Sequence, residues 1–268
     1  MGYIIDLSKW NDNIDWDVAA PQLDLAICRV QYGSNKKDTL YDAHVTNLEA
    51  KGIRHAAYAY GCYESVNDAI VEAKDFLARV HPNAKFLVLD VEDDTLKAMK
   101  DENKLAEASQ AFIQTCRKAG WKIGLYVSHH MYDSHGLQNV DADFLWLPRY
   151  GTNDGKPQKK PSYSCDIWQY TDNGYINGIG KVDMNLLQGN KKLDWYVGEQ
   201  AKYIATGGLG LKACTEISQY LLERRWWAIM EFTTNGDAFV KTGGICEPNL
   251  SEFREWMDQK GWWYEVKE

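Results

Sequence analysis

None of the six cysteines, at positions 28, 62, 116, 165, 214 and 246, stands in a Cys-x-x-Cys pair or shares metal-ligand spacing with a histidine. That argues against a zinc module and a dithiol redox centre, and the thiols read as small core residues left free in a reducing compartment. Positive charge is not in excess: 30 Lys and Arg face 38 Asp and Glu, for a net charge of −8. Nucleic acid and anionic membrane are therefore not expected partners, whereas a largely neutral glycan needs no opposing field. No apolar run reaches the roughly 20 residues that cross a bilayer, so membrane insertion is not expected. The opening MGYIIDLSKW has no basic start, apolar stretch or small-residue cleavage site, so no secretory signal is expected. If the protein acts outside the cell, something else must release it. The glycine-rich Gly207-Gly208-Leu209-Gly210 lacks the Lys-Ser/Thr of a phosphate loop. No cofactor and no metal are expected.

What is present is aromatic: 11 Trp and 16 Tyr in 268 residues. Rings of this kind stack on sugars and also fill cores. Up to about residue 190 the chain alternates short apolar runs (3–6, 25–31, 55–60, 86–91, 122–127, 144–147, 166–170 and 182–184) with helical stretches at 43–51, 67–80, 104–119 and 130–135. In the third of these helices Leu105, Ala108, Phe112 and Cys116 form one apolar stripe. Such alternation predicts an α/β fold, an irregular β/α barrel of TIM type whose later helices have been lost. Residues 191–202 are polar and read as a linker.

The remainder repeats itself. Thr206-Gly207-Gly208 recurs as Thr242-Gly243-Gly244, and Trp226-Trp227 recurs as Trp262-Trp263, both at an offset of 36. Cys214, Ile217, Tyr220 and Leu221 form one helix stripe, and Leu250, Phe253, Trp256 and Met257 occupy the same positions in the second copy. Two βαβ halves predict a small ferredoxin-like domain at 203–268.

Chemistry is suggested by FLVLDVEDD. Asp90 and Glu92 are two apart, so on a strand they share a face. They lie at the strand's C-terminal end, where α/β barrels carry their active sites. A paired carboxylate in a partly dry pocket holds one proton and one charge, as glycoside hydrolysis needs. A solvated acidic loop, continuing through Asp93 and Asp94, is the plainer alternative. Asp6 and Asp183 also fall at strand ends, although each alone reads equally well as a cap or turn residue. His129-His130 follows another strand, with no third ligand at metal spacing.

YIIDLSKWNDNIDW, FLVLDVED, WLPRYG and DIWQYTDNG with GKVDMN, in that order between residue 3 and about 188, resemble the family 25 glycoside hydrolases. These Chalaropsis-type lysozymes include many bacteriophage endolysins. The resemblance implies an irregular barrel over residues 1–190 and cleavage of the β-1,4 bond between N-acetylmuramic acid and N-acetylglucosamine in bacterial peptidoglycan. It implies Glu92 as proton donor, with Asp6, Asp90 and Asp183 as the other acids of the pocket. Net retention is implied, with two routes open: a carboxylate nucleophile, or the substrate's own N-acetyl group positioned by Asp90. The same positions suggest Tyr60, Tyr126, Trp146, Trp168 and Gln169 as lining residues, with core packing the alternative for each. An endolysin of this kind would be made in the host cytoplasm and released through holin-type lesions. Two departures stand out: Tyr58-Ala59-Tyr60 lacks a histidine many members carry, and Pro148 should end its strand. The small domain is expected to bind the wall or to join subunits into a homo-oligomer. A catalytically silent glycan-binding barrel and a glycosidase acting on chitin are the rival readings.

Overall fold

The computed structural model describes residues 2–198, 202–245 and 249–267. The chain divides into two compact units, Met1–Val197 and Gly198–Glu268.

In the first unit eight strands close into a barrel: β1 (Tyr3–Leu7), β2 (Leu23–Tyr32), β4 (His55–Tyr60), β5 (Leu87–Val91), β6 (Ile123–Val127), β7 (Leu145–Pro148), β8 (Ile167–Ile176) and β9 (Gly180–Leu187). A two-residue strand, β3 (Lys36–Lys37), folds back on β2. Neighbours from β1 through β8 run parallel, while β9 runs antiparallel to both β8 and β1. The expected later helices are indeed reduced, because a hairpin at 177–179 replaces the last crossover. β7 ends at Pro148, as a residue with no amide hydrogen dictates.

Helices α1 (Trp16–Ala19), α2 (Tyr41–Ala50), α3 (Val66–Arg79), α4 (Asp93–Ala98), α5 (Leu105–Lys118) and α6 (Met131–Ser134) follow the strands. Ser65 caps α3 by accepting from the Asp68 amide at 3.2 Å. The stripe Leu105, Ala108, Phe112 and Cys116 is fully buried against the sheet. Alternation along each strand makes two cores. Leu87, Leu89 and Val91 point out toward the helices, while Phe86 and Val88 point into the barrel with Leu25, Ile27, Phe144 and Trp146.

The stretch expected as a linker is different in its first half. Leu193–Val197 forms α7, and Tyr196 and Val197 are buried in the barrel's interior core. Tyr196 meets Phe86 and Phe144 at ring distances of 5.7 and 5.2 Å, so two apolar side chains in a polar sequence close the barrel floor. Residues 199–201 of that expected linker lie outside the described residues.

The second unit is βαββαβ: β10 (Tyr203–Thr206), α8 (Leu211–Glu223), β11 (Ala228–Phe232), β12 (Ala238–Thr242), α9 (Asn249–Lys260) and β13 (Tyr264–Lys267). The sheet order β11-β12-β10-β13, antiparallel throughout, is the ferredoxin-like arrangement. Both predicted stripes face it: Cys214, Ile217, Tyr220, Leu221, Leu250, Phe253 and Met257 are buried, with Trp256 packed at their margin. The five described cysteines are free; Cys246 lies outside the described residues.

Candidate active site

The C-terminal ends of the parallel strands form one mouth of the barrel, and the acids gather there. Asp6 on β1, Asp90 on β5, Glu92 directly after β5 and Asp183 on β9 line a cavity of about 220 Å³ together with Tyr58, Tyr126, Trp146, Tyr150, Gln169 and Asp172. Asp183 is directly paired with Asp6 across β1 and β9. It sits in the first half of its strand, not at a C-terminal end, and reaches the same mouth because β9 runs backwards. Glu92 keeps an extended backbone, φ −134° and ψ −172°, so it shares Asp90's face although the strand has ended. Its amide donates to Thr95 Oγ1 at 3.0 Å as α4 begins; the run Asp93-Asp94 is therefore the first turn of a helix and not a loop.

Five carboxyl groups in so small a space cannot all be charged. Burial, then the nearby charges of Glu92 and Asp6, push Asp90 well above the usual carboxylate range, and its Oδ1 has no hydrogen-bond partner. Burial also raises Glu92, opposed by the Ser128 hydroxyl, which donates to Glu92 Oε2 at 3.2 Å. Burial and the charge of Asp6 push Asp183 up to about 9. Asp6 is raised less freely, because the amides of Asn185 and Gln169 donate to it. Asp6 is thus the group equipped to carry charge, and Asp183 the one equipped to keep a proton.

Gln169 organises the floor. Its Oε1 accepts from Tyr126 Oη at 2.9 Å and from Tyr150 Oη, which leaves Nε2 to donate to Asp6 at 3.1 and 3.2 Å. Two hydroxyls on one side and carboxylates on the other fix which end is oxygen. Trp146 donates through Nε1 to Asn185 at 2.9 Å, and Asn185 in turn holds Asp6.

The small cavity opens into a groove of about 700 Å³, and Tyr58, Asp90, Glu92 and Asp183 border both. Tyr60 lines this groove, stacked on Tyr32 at 4.6 Å, with Trp10 standing 76% exposed at its rim. Arg29 borders it from below, anchored to Asp38 at 2.7 Å and drawing Asp90 back toward its charged form.

Of the five expected lining aromatics and amides, Tyr60, Tyr126, Trp146 and Gln169 are placed around these two spaces. Trp168 is not. It neighbours Gln169 on β8, so the pleat turns it to the opposite face, where it packs in the outer core and donates to the Arg149 carbonyl at 2.8 Å. Sequence reasoning missed Asp172, which lines the small cavity and accepts from Asn153 at 2.6 Å, and Ser128. Both lie just past the strand stretch read from sequence, and that position was the available signal. It also missed Tyr58 as a wall of both spaces; alternation from Tyr60 would have found it.

His129 Nε2 accepts from the Ser162 amide at 3.0 Å and His130 pairs with Asp93 at 2.8 Å, so both imidazoles anchor loops. Among the described residues one group has metal-ligand proximity: Glu49, His55 and His81, whose candidate atoms lie within 4.8 Å of one another. His55 starts β4, at the strand end opposite the carboxylates, and Glu49 already engages it at 2.7 Å and Asn83 at 2.7 Å.

Comparison with known proteins agrees with this geometry. Residues 5–179, more than half of the chain, match the profile of glycosyl hydrolases family 25, and residues 223–266 match the PlyG cell wall binding domain. A lysozyme of Streptococcus phage Cp-9 is 34% identical over 166 residues, covering 59% of this chain and 47% of that protein. A lysozyme of Streptococcus phage Cp-7 is 29% identical over 165 residues, 59% of this chain and 46% of its own length. The chain therefore spans about half the length of these curated relatives. Among solved structures, the catalytic domain of endolysin ply40 from bacteriophage P40 of Listeria monocytogenes is 30% identical, with a TM-score of 0.65 over 70% of this chain and 94% of that one. On the barrel, the clustered acids and these matches together, the chain belongs to family 25 of the glycosyl hydrolases.

Proposed function

We propose that the protein is a peptidoglycan hydrolase, a muramidase that cuts the β-1,4 bond between N-acetylmuramic acid and N-acetylglucosamine, and that it serves as a phage endolysin. The observation that carries the reading is the junction of the two spaces: Asp90 and Glu92 stand where a long open groove meets a deep acidic cavity. A glycan chain laid along the groove, against Tyr60, Tyr32 and Trp10, would bring one glycosidic oxygen over Glu92.

Glu92 is raised and half-buried, which suits a carboxyl that keeps its proton until the leaving oxygen takes it. As the C1–O bond breaks, that proton passes to the departing oxygen and Glu92 becomes a carboxylate. Positive charge then grows at C1. Asp90, which lines the cavity, becomes more acidic beside that cation and balances it or holds the substrate's acetamido group. Water attacks C1 in the second half and returns its proton to Glu92. Asp6, fixed by Gln169 and Asn185, supplies the standing negative field, while Asp183 beside it stays protonated.

The wall-binding profile at residues 223–266 supports a targeting role for the small domain, which would hold the barrel on its polymeric substrate. Digestion of purified Gram-positive walls tests the bond assignment. Products ending in reducing N-acetylmuramic acid are expected. Reducing N-acetylglucosamine ends, or release of chitooligosaccharides without wall lysis, would contradict it.

A further inference from the structure

We propose that the outer face of the small domain's sheet carries two equivalent glycan-binding platforms, one at Trp227 and one at Trp263, which engage two segments of the same uncharged wall polysaccharide. This rests on the wall-binding reading above and assigns its residues.

The doubled Trp pairs are divided identically in the two repeats. Trp226 and Trp262 turn inward, packing against Phe253 at 5.6 Å and Trp256 at 5.2 Å respectively. Trp227 and Trp263 turn outward and remain 65% and 66% exposed. A fold that needed all four rings for its core would not leave the same two in water.

Each outward ring is propped in the same way. Gly243 donates its amide to the Trp227 carbonyl at 2.6 Å, and Gly207 donates to that of Trp263 at 3.0 Å. A Cβ at Gly243 would stand 3.4 Å from Trp227 Cε3, and one at Gly207 3.3 Å from Trp263 Cε3. The bare glycine backbone therefore runs close against each indole, supporting one side and leaving the other open. A ring already held in place loses little freedom when a sugar stacks on it. This explains why the Thr-Gly-Gly motif repeats in register with Trp-Trp.

The sheet order fixes where the platforms lie. β10 and β12 are antiparallel neighbours, and each ends at one of the two glycines. Trp263 is thus at one corner of the sheet and Trp227 at the diagonal corner, with β11 and β13 as the two edges. Three strand spacings across, about 14 Å, and four residues along, about 13 Å, put the two corners about 20 Å apart, so one repeating polymer can reach both. Ile229 adds exposed apolar surface on the Trp227 side, and Phe239, across from Gly207, adds it on the Trp263 side. The charged side chains that share this face by alternation are Glu231, Lys241, Glu265 and Lys267, which cancel to zero, and Glu265 pairs with Lys267 at 3.0 Å. A face with no net field fits a neutral polysaccharide better than a teichoic-type polyanion or an acidic peptide.

The test uses the full chain carrying Glu92→Gln, so that walls are not digested, and measures depletion onto purified Gram-positive walls. Trp227→Ala and Trp263→Ala are each expected to lose the avidity of the pair, about 10²-fold, by similar factors. The double variant should fall to background, while thermal unfolding and hydrolysis of soluble glycan fragments, measured in the Glu92 background, stay unchanged. Binding by the double variant equal to the parent's, or an effect carried by one tryptophan alone, would overturn the platforms and leave wall binding standing. No binding by the parent would overturn the wall-binding reading and the platforms with it. A dimeric parent that becomes monomeric in the double variant would make this face a subunit interface and overturn the proposal.

Discussion

The acids at the barrel mouth act on one another, and the neutral groups between them decide which is charged. Ser128 is the clearest lever. Its hydroxyl bond to Glu92 stabilises the carboxylate and so holds the Glu92 pKa down against burial. Ser128→Ala is expected to raise Glu92 further and move the alkaline limb of the kcat/KM profile to higher pH; an unmoved limb would exclude this role. Asp183 gives a prediction of opposite use. Its folded pKa is raised from 3.8 to about 9, so the stability it contributes is full below about pH 4 and lost as pH rises through 9. Asp183→Asn removes that loss and can still donate to Asp6. The variant should melt at least ~2 °C above the parent at pH 8, with the gain shrinking toward pH 4. An equal gap at both pH values would contradict the assignment.

At the scale of elements, the floor of the barrel depends on five residues that looked like linker. Tyr196 on α7 is fully buried among Phe86, Phe144 and Trp195. Truncation to Ala should cost about 3 kcal/mol of stability through the cavity it opens, read by denaturant unfolding, without altering the pH profile of cleavage. The eight barrel strands and helices α3 and α5 were legible because their apolar periodicity was strong, whereas α2 and α6 were read from their place between strands. The direction of β9 was not, since a strand's pattern is the same read either way, and only its hairpin to β8 reverses it. α7 was hidden for a related reason: five residues carry no periodicity. In the site, spacing put Asp90 and Glu92 on one face, but a solvated acidic loop stayed the plainer reading until the resemblance was added. Asp6, Asp183 and Gln169 needed the family resemblance, because their partners, Asn185 and Tyr150 among them, are distant in sequence. Trp168 came from the same resemblance, and the pleat of β8 turns it away from the face that Gln169 lines.

For the molecule as a whole, the proposed tasks of cutting and holding fall to two separate compact units. Closure of the eight strands leaves the barrel only the two-residue β3 as a sheet edge among the described residues, and the groove is open to solvent. The small domain offers a face with two exposed indoles and no net charge, made twice from one unit. Wall affinity of the full chain should therefore change less than about threefold between 50 mM and 500 mM NaCl, since screening acts only on net electrostatic attraction. A steep fall with salt would point instead to charged wall polymers.

The account stands or falls on Glu92 as the proton donor. Glu92→Gln preserves its size and polar reach while removing the transferable proton. Measured by release of reducing ends from purified peptidoglycan, the variant is expected to lose at least ~10² in rate with its thermal unfolding unchanged. Lysis by Glu92→Gln at the parent's rate would contradict the account.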